Sequence, residues 1–268
     1  ASFAGRSARL ADGGPVPTQL EDGTSVALVR IPAQGWISLL PTAAPAATPV
    51  AAGTVLENEL VKFVFASDGT VTAAIEHSTG RNLLSGPGNR LSLYHDRPCA
   101  WDAWDIDRFY KQERIADVVF TVEALGNGPV RSRLRLSARI GDSTITQLVS
   151  LAAGSRRLDF HTTIAWHERH RMLRVAFPAQ VASERVACEI QYGHLFRNTH
   201  ENTSWDMAKF EVPAHRFVDI SAADGGLALL NDAKYGHGLH GNVLDLCLLR
   251  SPASPDPDAD QGVHTFTY

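Results

Sequence analysis

The stretch RPCAWDAWDID, residues 97–107, combines large apolar side chains with carboxylates in a way that suits the binding of a sugar. Trp101 and Trp104 could stack on the apolar C–H face of a sugar ring, while Asp102 and Asp105 could accept hydrogen bonds from neighbouring hydroxyls. The alternative is structural: the tryptophans close one end of a β-sandwich, and the aspartates cap neighbouring turns. The residues alone leave both interpretations open.

Two other patterns could in principle catalyse a reaction or bind a metal. Paired carboxylates cleave a glycosidic bond when they lie about 5 Å apart, but Asp102 and Asp105, three residues apart in one loop, are more typical of turn capping. The tetrapeptide His167-Glu168-Arg169-His170 is one residue short of the HExxH zinc motif, and in a strand its two histidines point to opposite faces. We therefore predict no catalytic residue and no metal-binding residue from these patterns.

The composition excludes several classes of protein. Of the 268 residues, 44% are hydrophobic and 20% are charged, as in an ordinary globular protein. A net charge of −4 provides no basic surface for nucleic acid. Cys99, Cys188 and Cys247 are odd in number and far apart, which favours a reducing compartment over a disulfide framework. Because neither a membrane-length apolar run nor a signal peptide is visible, we predict a cytoplasmic protein with no nucleic-acid or membrane partner.

The hydrophobic pattern from residue 54 onward predicts β-strands. In RSRLRLSARI, Leu134, Leu136, Ala138 and Ile140 share one face, and arginines occupy the other face. The segment RLDFHTTIAWHE alternates in the same way, and glycine-containing turn signals separate such runs. No helical stripe of three turns or more is visible. We therefore predict an all-β fold with a large antiparallel β-sandwich over residues 54–268.

Residues 1–53 differ from the rest of the chain. TSVALVRIPAQGWISLL reads as two strands joined at Gln34-Gly35, and the Pro/Ala-rich stretch PTAAPAATPVAAG follows it. So many prolines are unsuited to the interior of a strand or to a stable helix, so we predict a linker there. A strand pair alone is marginally stable. We therefore interpret residues 1–53 as a remnant of a smaller β domain followed by a linker.

Several long stretches resemble one family of enzymes. They are LENELVKFVFASDGTVTAAIEHSTGRNLL, NRLSLYHDRPCAWDAWDID, QYGHLFRNTHENTSWDMAKFEVPAHRFVDIS and the segment from Leu227 to the last residue. In order and over roughly residues 18–268, they resemble the C-terminal half of the α-mannosidases of glycoside hydrolase family 38. The resemblance is to the cytosolic and vacuolar branch and its bacterial relatives.

The resemblance implies a specific biochemistry. It implies a galactose mutarotase-like sandwich in a zinc-dependent retaining exo-α-mannosidase that releases terminal mannose through a covalent intermediate. In the family, zinc and an aspartate nucleophile belong to an N-terminal domain, and none of that domain's motifs occurs here. The chain alone is therefore predicted to be inactive and to bind no cofactor.

The resemblance also implies which residues contact the substrate. The β portion packs against the catalytic domain and contributes loops to the rim of the mannose pocket. On this basis we predict substrate contacts from Trp101, Asp102, Trp104 and Asp105, with Tyr235 of NDAKYGHGLHGN and Arg250 as further candidates at the rim.

The resemblance implies two partners, a mannoside substrate and the chain's own N-terminal catalytic domain. Without that domain an apolar patch would be exposed, which would favour self-association into a homo-oligomer. Two alternatives remain open from the sequence: a stand-alone carbohydrate-binding module, and an enzyme similar to the aldose epimerases that uses the same sandwich.

Overall fold

The computed structural model describes residues 5–50 and 53–268 of the chain. The N-terminal part contains β1 (Arg6–Leu10), β2 (Pro15–Val16), β3 (Thr18–Glu21), β4 (Thr24–Ala27) and β5 (Leu39–Pro45). The next strands are β6 (Val55–Glu57), β7 (Val61–Phe65), β8 (Val71–Glu76), β9 (Arg81–Asn82), β10 (Arg90–His95) and β11 (Arg114–Asp117).

The remaining strands complete the fold. They are β12 (Thr121–Asn127), β13 (Arg131–Ile140), β14 (Ser143–Ala152), β15 (Leu158–Trp166), β16 (Arg171–Pro178), β17 (Arg185–Ile190) and β18 (Gly193–Asn198). After them come β19 (Val212–Pro213), β20 (Phe217–Ala222), β21 (Gly225–Leu230), β22 (Gly236–His240), β23 (Val243–Arg250) and β24 (Gly262–Thr267). The helical segments in the described residues are a 3-10 helix over Arg108–Gln112 and α1 over Ser204–Met207.

These strands form several antiparallel sheets. The largest has the order β11–β10–β16–β23–β22–β19, and a five-stranded sheet has the order β12–β13–β14–β15–β24. Two four-stranded sheets have the orders β6–β7–β8–β9 and β18–β17–β20–β21, and the N-terminal strands form the sheets β2–β1–β5 and β3–β4. The prediction of an all-β, antiparallel sandwich is thereby confirmed.

One hydrophobic core joins the larger sheets. Phe160 of β15 lies 6.4 Å from Phe65 of β7 and 6.0 Å from Phe177 of β16, measured between ring centroids. Tyr268 stacks on Phe160 at 5.2 Å and donates a hydrogen bond to Asn89 from its buried hydroxyl. Since Phe160 contacts side chains of two other sheets, aromatic packing fixes the sandwich at this point.

The alternating pattern of β13 has the predicted effect on burial, with one addition. Leu134, Leu136 and Ile140 lie in the core. Arg133 belongs to the other face, yet only 8% of it is exposed. The N-terminal part covers that face: the Nη1 atom of Arg133 lies 3.3 Å from carboxylate oxygens of both Glu21 and Asp22.

Gln19 anchors the N-terminal part to the sandwich. Its side-chain oxygen accepts hydrogen bonds from the amides of Val130 and Arg131, and its Nε2 donates to the Arg131 carbonyl. Burial opposes the ionisation of Glu21, but the hydrogen bond and charge of Arg131 outweigh it and hold the pKa of Glu21 below its usual value. Such fully satisfied buried contacts attach the two parts firmly.

The structure corrects two predictions for the N-terminal part. The strands β4 and β5 are not joined directly at Gln34-Gly35, because residues 28–38 form a longer connection in which Gly35 donates to the carbonyl of Pro32. The predicted linker is wrong for residues 41–45, which belong to β5. This strand lies at the edge of its sheet, where prolines need no ladder partner on the outer side.

Parts of the predicted remnant and linker, residues 1–4 and 51–52, lie outside the described residues. The predicted domain boundary after residue 53 stays a prediction. In the described part of the chain, no helix has the length and apolar character that a membrane crossing requires.

Candidate functional site

The loop at residues 97–107 is held by an ion pair at one end of the six-stranded sheet. Asp96 directly follows β10 and Arg250 ends β23, and β16 lies between these two strands. The Nε atom of Arg250 lies 2.6 Å from Asp96, and its Nη2 atom also donates to the carbonyls of Asp102 at 3.2 Å and Asp105 at 2.7 Å. Arg250 therefore fixes the main chain of the loop.

Burial raises the pKa of the Asp96 carboxyl, and the hydrogen bonds from Arg250 oppose that rise. Only 2% of Asp96 is exposed, so its charge depends on Arg250 for compensation. Within the site, Asp96 and Arg250 thus form a structural pair.

Asp102 connects the loop to the segment after β23. One oxygen of its carboxylate accepts hydrogen bonds from the amides of Ala253 and Ser254, at 2.7 and 3.1 Å. The other oxygen lies 3.7 Å from Nδ1 of His170. The carboxylate of Asp105 is exposed and accepts a hydrogen bond from the amide of Ile106. Asp102 therefore has the turn-capping contacts that one of the two interpretations predicts, whereas the second carboxylate oxygen of Asp105 has no hydrogen-bond partner among the described residues.

Both tryptophans of the loop face solvent. Trp101 is 71% exposed and Trp104 is 72% exposed. Trp101 has a φ of 60°, and its carbonyl accepts hydrogen bonds from the amides of Trp104 and Asp105, so a tight turn presents the two rings. They border a cavity of about 500 Å³, which we call the loop cavity; its wall also includes Arg97, Cys99, His170 and Ser254. Since neither ring closes the sandwich, the structural interpretation fails for the tryptophans.

Tyr235 lies elsewhere. It is 61% exposed and borders a second cavity of about 570 Å³, which we call the tyrosine cavity. Tyr192, His194 and His215 belong to the same wall, and no lining residue is shared with the loop cavity. The structure therefore brings together Trp101, Asp102, Trp104, Asp105 and Arg250, but not Tyr235.

A buried polar cluster was not predicted from the sequence. Arg174 of β16 is 1% exposed, and its Nε atom lies 2.6 Å from Asp245 of β23. Its Nη2 atom lies 3.0 Å from Glu211, whose oxygen also accepts a hydrogen bond from the hydroxyl of Tyr110 at 2.6 Å. Burial raises the pKa of Tyr110, so its hydroxyl remains a donor.

This cluster fixes the far end of the loop segment. Tyr110 belongs to the 3-10 helix that follows residues 97–107, and its ring lies 5.2 Å from the guanidinium carbon of Arg174. The signal in the sequence was a lone arginine in MLRVAF and a lone aspartate in VLDLCLL. Single charges within otherwise apolar strands are rarely buried unless they are paired.

The histidines do not converge on a metal site. Within residues 5–50 and 53–268, no group of three or more histidine, cysteine or acidic side chains is arranged to hold a metal ion. His167 directly follows β15, whereas Nδ1 of His170 lies 3.7 Å from a carboxylate oxygen of Asp102. The residues described here therefore do not fit the zinc ion that the family resemblance implies, and we assign no step to such an ion in this chain.

Comparison with known proteins identifies the family. The profile of the glycosyl hydrolases family 38 C-terminal domain matches residues 56–258. The chain belongs to glycosyl hydrolase family 38. Alpha-mannosidase 2C1 of Mus musculus is 38% identical over 266 residues, which cover 91% of this chain and 25% of the relative. The human protein of the same name is 39% identical over 259 residues, with the same coverage.

Solved structures agree on the fold of this family 38 chain. An alpha-mannosidase from Enterococcus faecalis V583 superposes with a TM-score of 0.77 at 15% sequence identity, covering 97% of this chain and 37% of that one. A second family 38 protein from Enterococcus faecalis gives a TM-score of 0.74. The chain thus spans about a quarter of the curated relatives named above.

Proposed function

We propose that this chain is the C-terminal β portion of a zinc-dependent retaining exo-α-mannosidase, which hydrolyses terminal α-mannosyl residues. The observation that carries this proposal is the similarity of nearly the whole chain to proteins named alpha-mannosidase. The zinc ion and the nucleophile would belong to the rest of the polypeptide. The three cysteines, none of which is in a disulfide, are compatible with work in the cytoplasm.

In the complete enzyme, the loop at residues 97–107 would form part of the rim of the mannose pocket. The position of Trp101 and Trp104 supports this role. Both are exposed, and Arg250 fixes the main chain of their loop by donating hydrogen bonds to the carbonyls of Asp102 and Asp105. An exposed indole on a fixed turn presents an apolar wall without further loss of loop entropy on binding. Arg250 would then position the loop, and Trp104 or Asp105 would contact the sugar.

The same surface would dock against the catalytic domain. The loop itself exposes Trp101 and Trp104, and Phe109 of the following 3-10 helix is 59% exposed. Such surfaces mark contacts with other protein. Without the catalytic domain this surface would be uncovered, and the chain would self-associate. Sedimentation at increasing protein concentration should therefore reveal dimers or larger species.

The first experiment tests whether hydrolysis requires the rest of the polypeptide. The purified 268-residue chain should release no product from an aryl α-mannoside in the presence of zinc, because the nucleophile and the zinc ion would belong to the rest of the polypeptide. Turnover above the uncatalysed rate would overturn the proposal.

The second experiment tests the rim. In the full-length enzyme that carries this chain, Trp104→Ala should raise KM for the aryl mannoside about fivefold, because a stacking contact contributes about 1 kcal/mol. Trp36→Ala is the matched control, since Trp36 is 80% exposed and lies outside the loop. Equal effects of the two substitutions would contradict a role for the loop at the sugar.

A further inference from the structure

The tyrosine cavity combines a concave shape with exposed aromatic rings. Tyr192 at one side is completely exposed, and Tyr235 contributes a second ring that is 61% exposed. The ring of His215 packs edge to face against that of Tyr235, with 5.4 Å between the ring centroids. This contact favours one orientation of the Tyr235 ring in the cavity wall. The cavity therefore offers apolar faces beside imidazole nitrogens that can donate or accept a hydrogen bond.

Tyr192 occupies a turn that its residue type does not favour. The pairing of Ile190 with Gly193 leaves Gln191 and Tyr192 as the two-residue turn between β17 and β18. Tyr192 has a φ of 62°, a conformation that glycine or asparagine adopts far more readily than a bulky residue. The packing of the fold does not explain the tyrosine, because its side chain is fully exposed. Strain of this kind often accompanies a binding function.

The charges around the cavity balance one another. Glu189 accepts hydrogen bonds from the main-chain amide and the guanidinium of Arg216, so these two residues form an ion pair. The carboxylate of Asp232 accepts a hydrogen bond from the amide of Thr267. Lys234 places its ammonium 4.3 Å from the centre of the Phe266 ring. With two acidic and two basic side chains in the wall, the cavity has no net charge that would select an anion or a cation.

We propose that the tyrosine cavity is a second carbohydrate-binding site, which takes a neutral oligosaccharide and is separate from the loop cavity. Tyr192 and Tyr235 would contact the C–H faces of sugar rings, and His194 and His215 would bind hydroxyls. A volume of about 570 Å³ suits a short oligosaccharide rather than a single hydroxyl-bearing solvent molecule. This site requires no catalytic activity, so it can be tested on the chain itself.

The test measures ligand binding by saturation-transfer NMR. The probes are α-linked mannotriose and maltotriose as neutral sugars, and mannose 6-phosphate as an anionic one. At least one neutral probe should receive saturation from aromatic protons of the 268-residue chain. Tyr192→Ala should weaken its binding at least fivefold, and Tyr235→Ala should have a similar effect. Tyr192→Phe should bind within twofold of the parent chain because it keeps the ring.

Trp36→Ala is the matched control, because it removes an exposed aromatic ring that lines neither the tyrosine cavity nor the loop cavity. It should leave the binding of the neutral probe unchanged within twofold. The proposal is wrong if neither neutral probe binds, if the anionic probe binds better, or if both tyrosine variants bind normally. Since Tyr192 lies on an exposed turn, its variants should fold, and this can be checked by circular dichroism.

Discussion

Arg250 and Asp96 form a two-point ion pair beneath the loop at residues 97–107, although Asp96 follows β10 and Arg250 ends β23, two strands that are not adjacent. Nε of Arg250 lies 2.6 Å from one carboxylate oxygen of Asp96, and Nη2 lies 3.1 Å from the other. The same Nη2 atom reaches the carbonyls of Asp102 and Asp105. One guanidinium therefore neutralises a buried carboxylate and fixes an exposed loop at the same time.

Replacing Arg250 with lysine should lower the free energy of unfolding by about 2 kcal/mol, because an ammonium cannot span two carboxylate oxygens and also reach the loop. The amides of Trp104 and Asp105 should exchange hydrogen faster in the variant, since their turn loses its support. Chemical denaturation and hydrogen exchange measure the two effects.

The matched control for this substitution is Arg169→Lys. Arg169 pairs with Asp258 at 2.8 Å, but both side chains are more than half exposed, at 56% and 72%. An exposed pair contributes little, so the free energy of unfolding should change by less than about 0.5 kcal/mol. If Arg250→Lys behaves like this control, Arg250 does not support the loop.

Tyr110→Phe should lower the free energy of unfolding by about 2 kcal/mol, because it removes the hydrogen bond to the charged oxygen of Glu211 within the buried cluster. Denaturation of the two proteins measures the difference. The control is Tyr235→Phe, which removes the hydroxyl of a tyrosine that is 61% exposed and should change stability by less than about 0.5 kcal/mol. A stable Tyr110→Phe variant would mean that water replaces the lost donor.

The strands were largely predictable because local alternation and burial agree. Leu134 and Phe160 lie in regular strands whose period of two is set by the geometry of one chain segment. The strand β5 was missed because its prolines disfavour a strand interior. Its place at a sheet edge depends on pairing with β1, and the residues of β1 lie far from β5 in the sequence. No local pattern contains that pairing.

The candidate site was predictable in its composition but not in its contacts. The sequence showed a loop with both aromatic and acidic residues, and from it we predicted sugar contacts for Trp101 and Trp104. The role of Arg250 depends on main-chain carbonyls that are distant in the sequence; Asp102, for example, is 148 positions away. The pairing of Arg174 with Asp245 spans 71 positions, so the two lone charges indicated burial without naming their partners. Tertiary contacts of this range require the fold itself.

His237 should make the chain less stable in acid. Burial, with a smaller contribution from the charge of Arg174, lowers the pKa of His237 from 6.5 to about 4, against the hydrogen bond to the Tyr235 carbonyl and the charge of Glu211. Below pH 6.5 the unfolded chain binds a proton at this residue that the folded chain does not bind. The contribution of neutral His237 to the free energy of unfolding is therefore fully present above pH 6.5. It decreases by about 3 kcal/mol as the pH falls to about 4.

The measurement compares denaturation at pH 7 and pH 4.5 for the parent chain and for His237→Gln. The variant should lose less stability on acidification, although the removal of the imidazole can lower its stability at both pH values. His161→Gln, at an exposed histidine of β15, is the control and should keep the full pH dependence. An imidazole NMR titration of His237 with a midpoint near 6.5 would contradict the expected effect.

Tyr192→Gly should stabilise the chain while it removes an aromatic ring from the tyrosine cavity. The φ of 62° at Tyr192 is unfavourable for an L-residue with a large side chain and is freely available to glycine. Because the tyrosine side chain is fully exposed and buries no surface, the gain from relaxed backbone should exceed the entropy that glycine loses on folding. We expect the free energy of unfolding to rise by about 1 kcal/mol.

Tyr192→Asn should lie between the parent chain and the glycine variant, and Tyr192→Val should be the least stable because a β-branched residue is poorest at positive φ. This ranking, measured by thermal denaturation, separates backbone strain from side-chain packing. If glycine were less stable than tyrosine, then the ring would be packing against the fold, and its exposure would not reflect a binding role. A stabilised Tyr192→Gly variant that no longer binds neutral oligosaccharide would show that the strain at this turn accompanies binding.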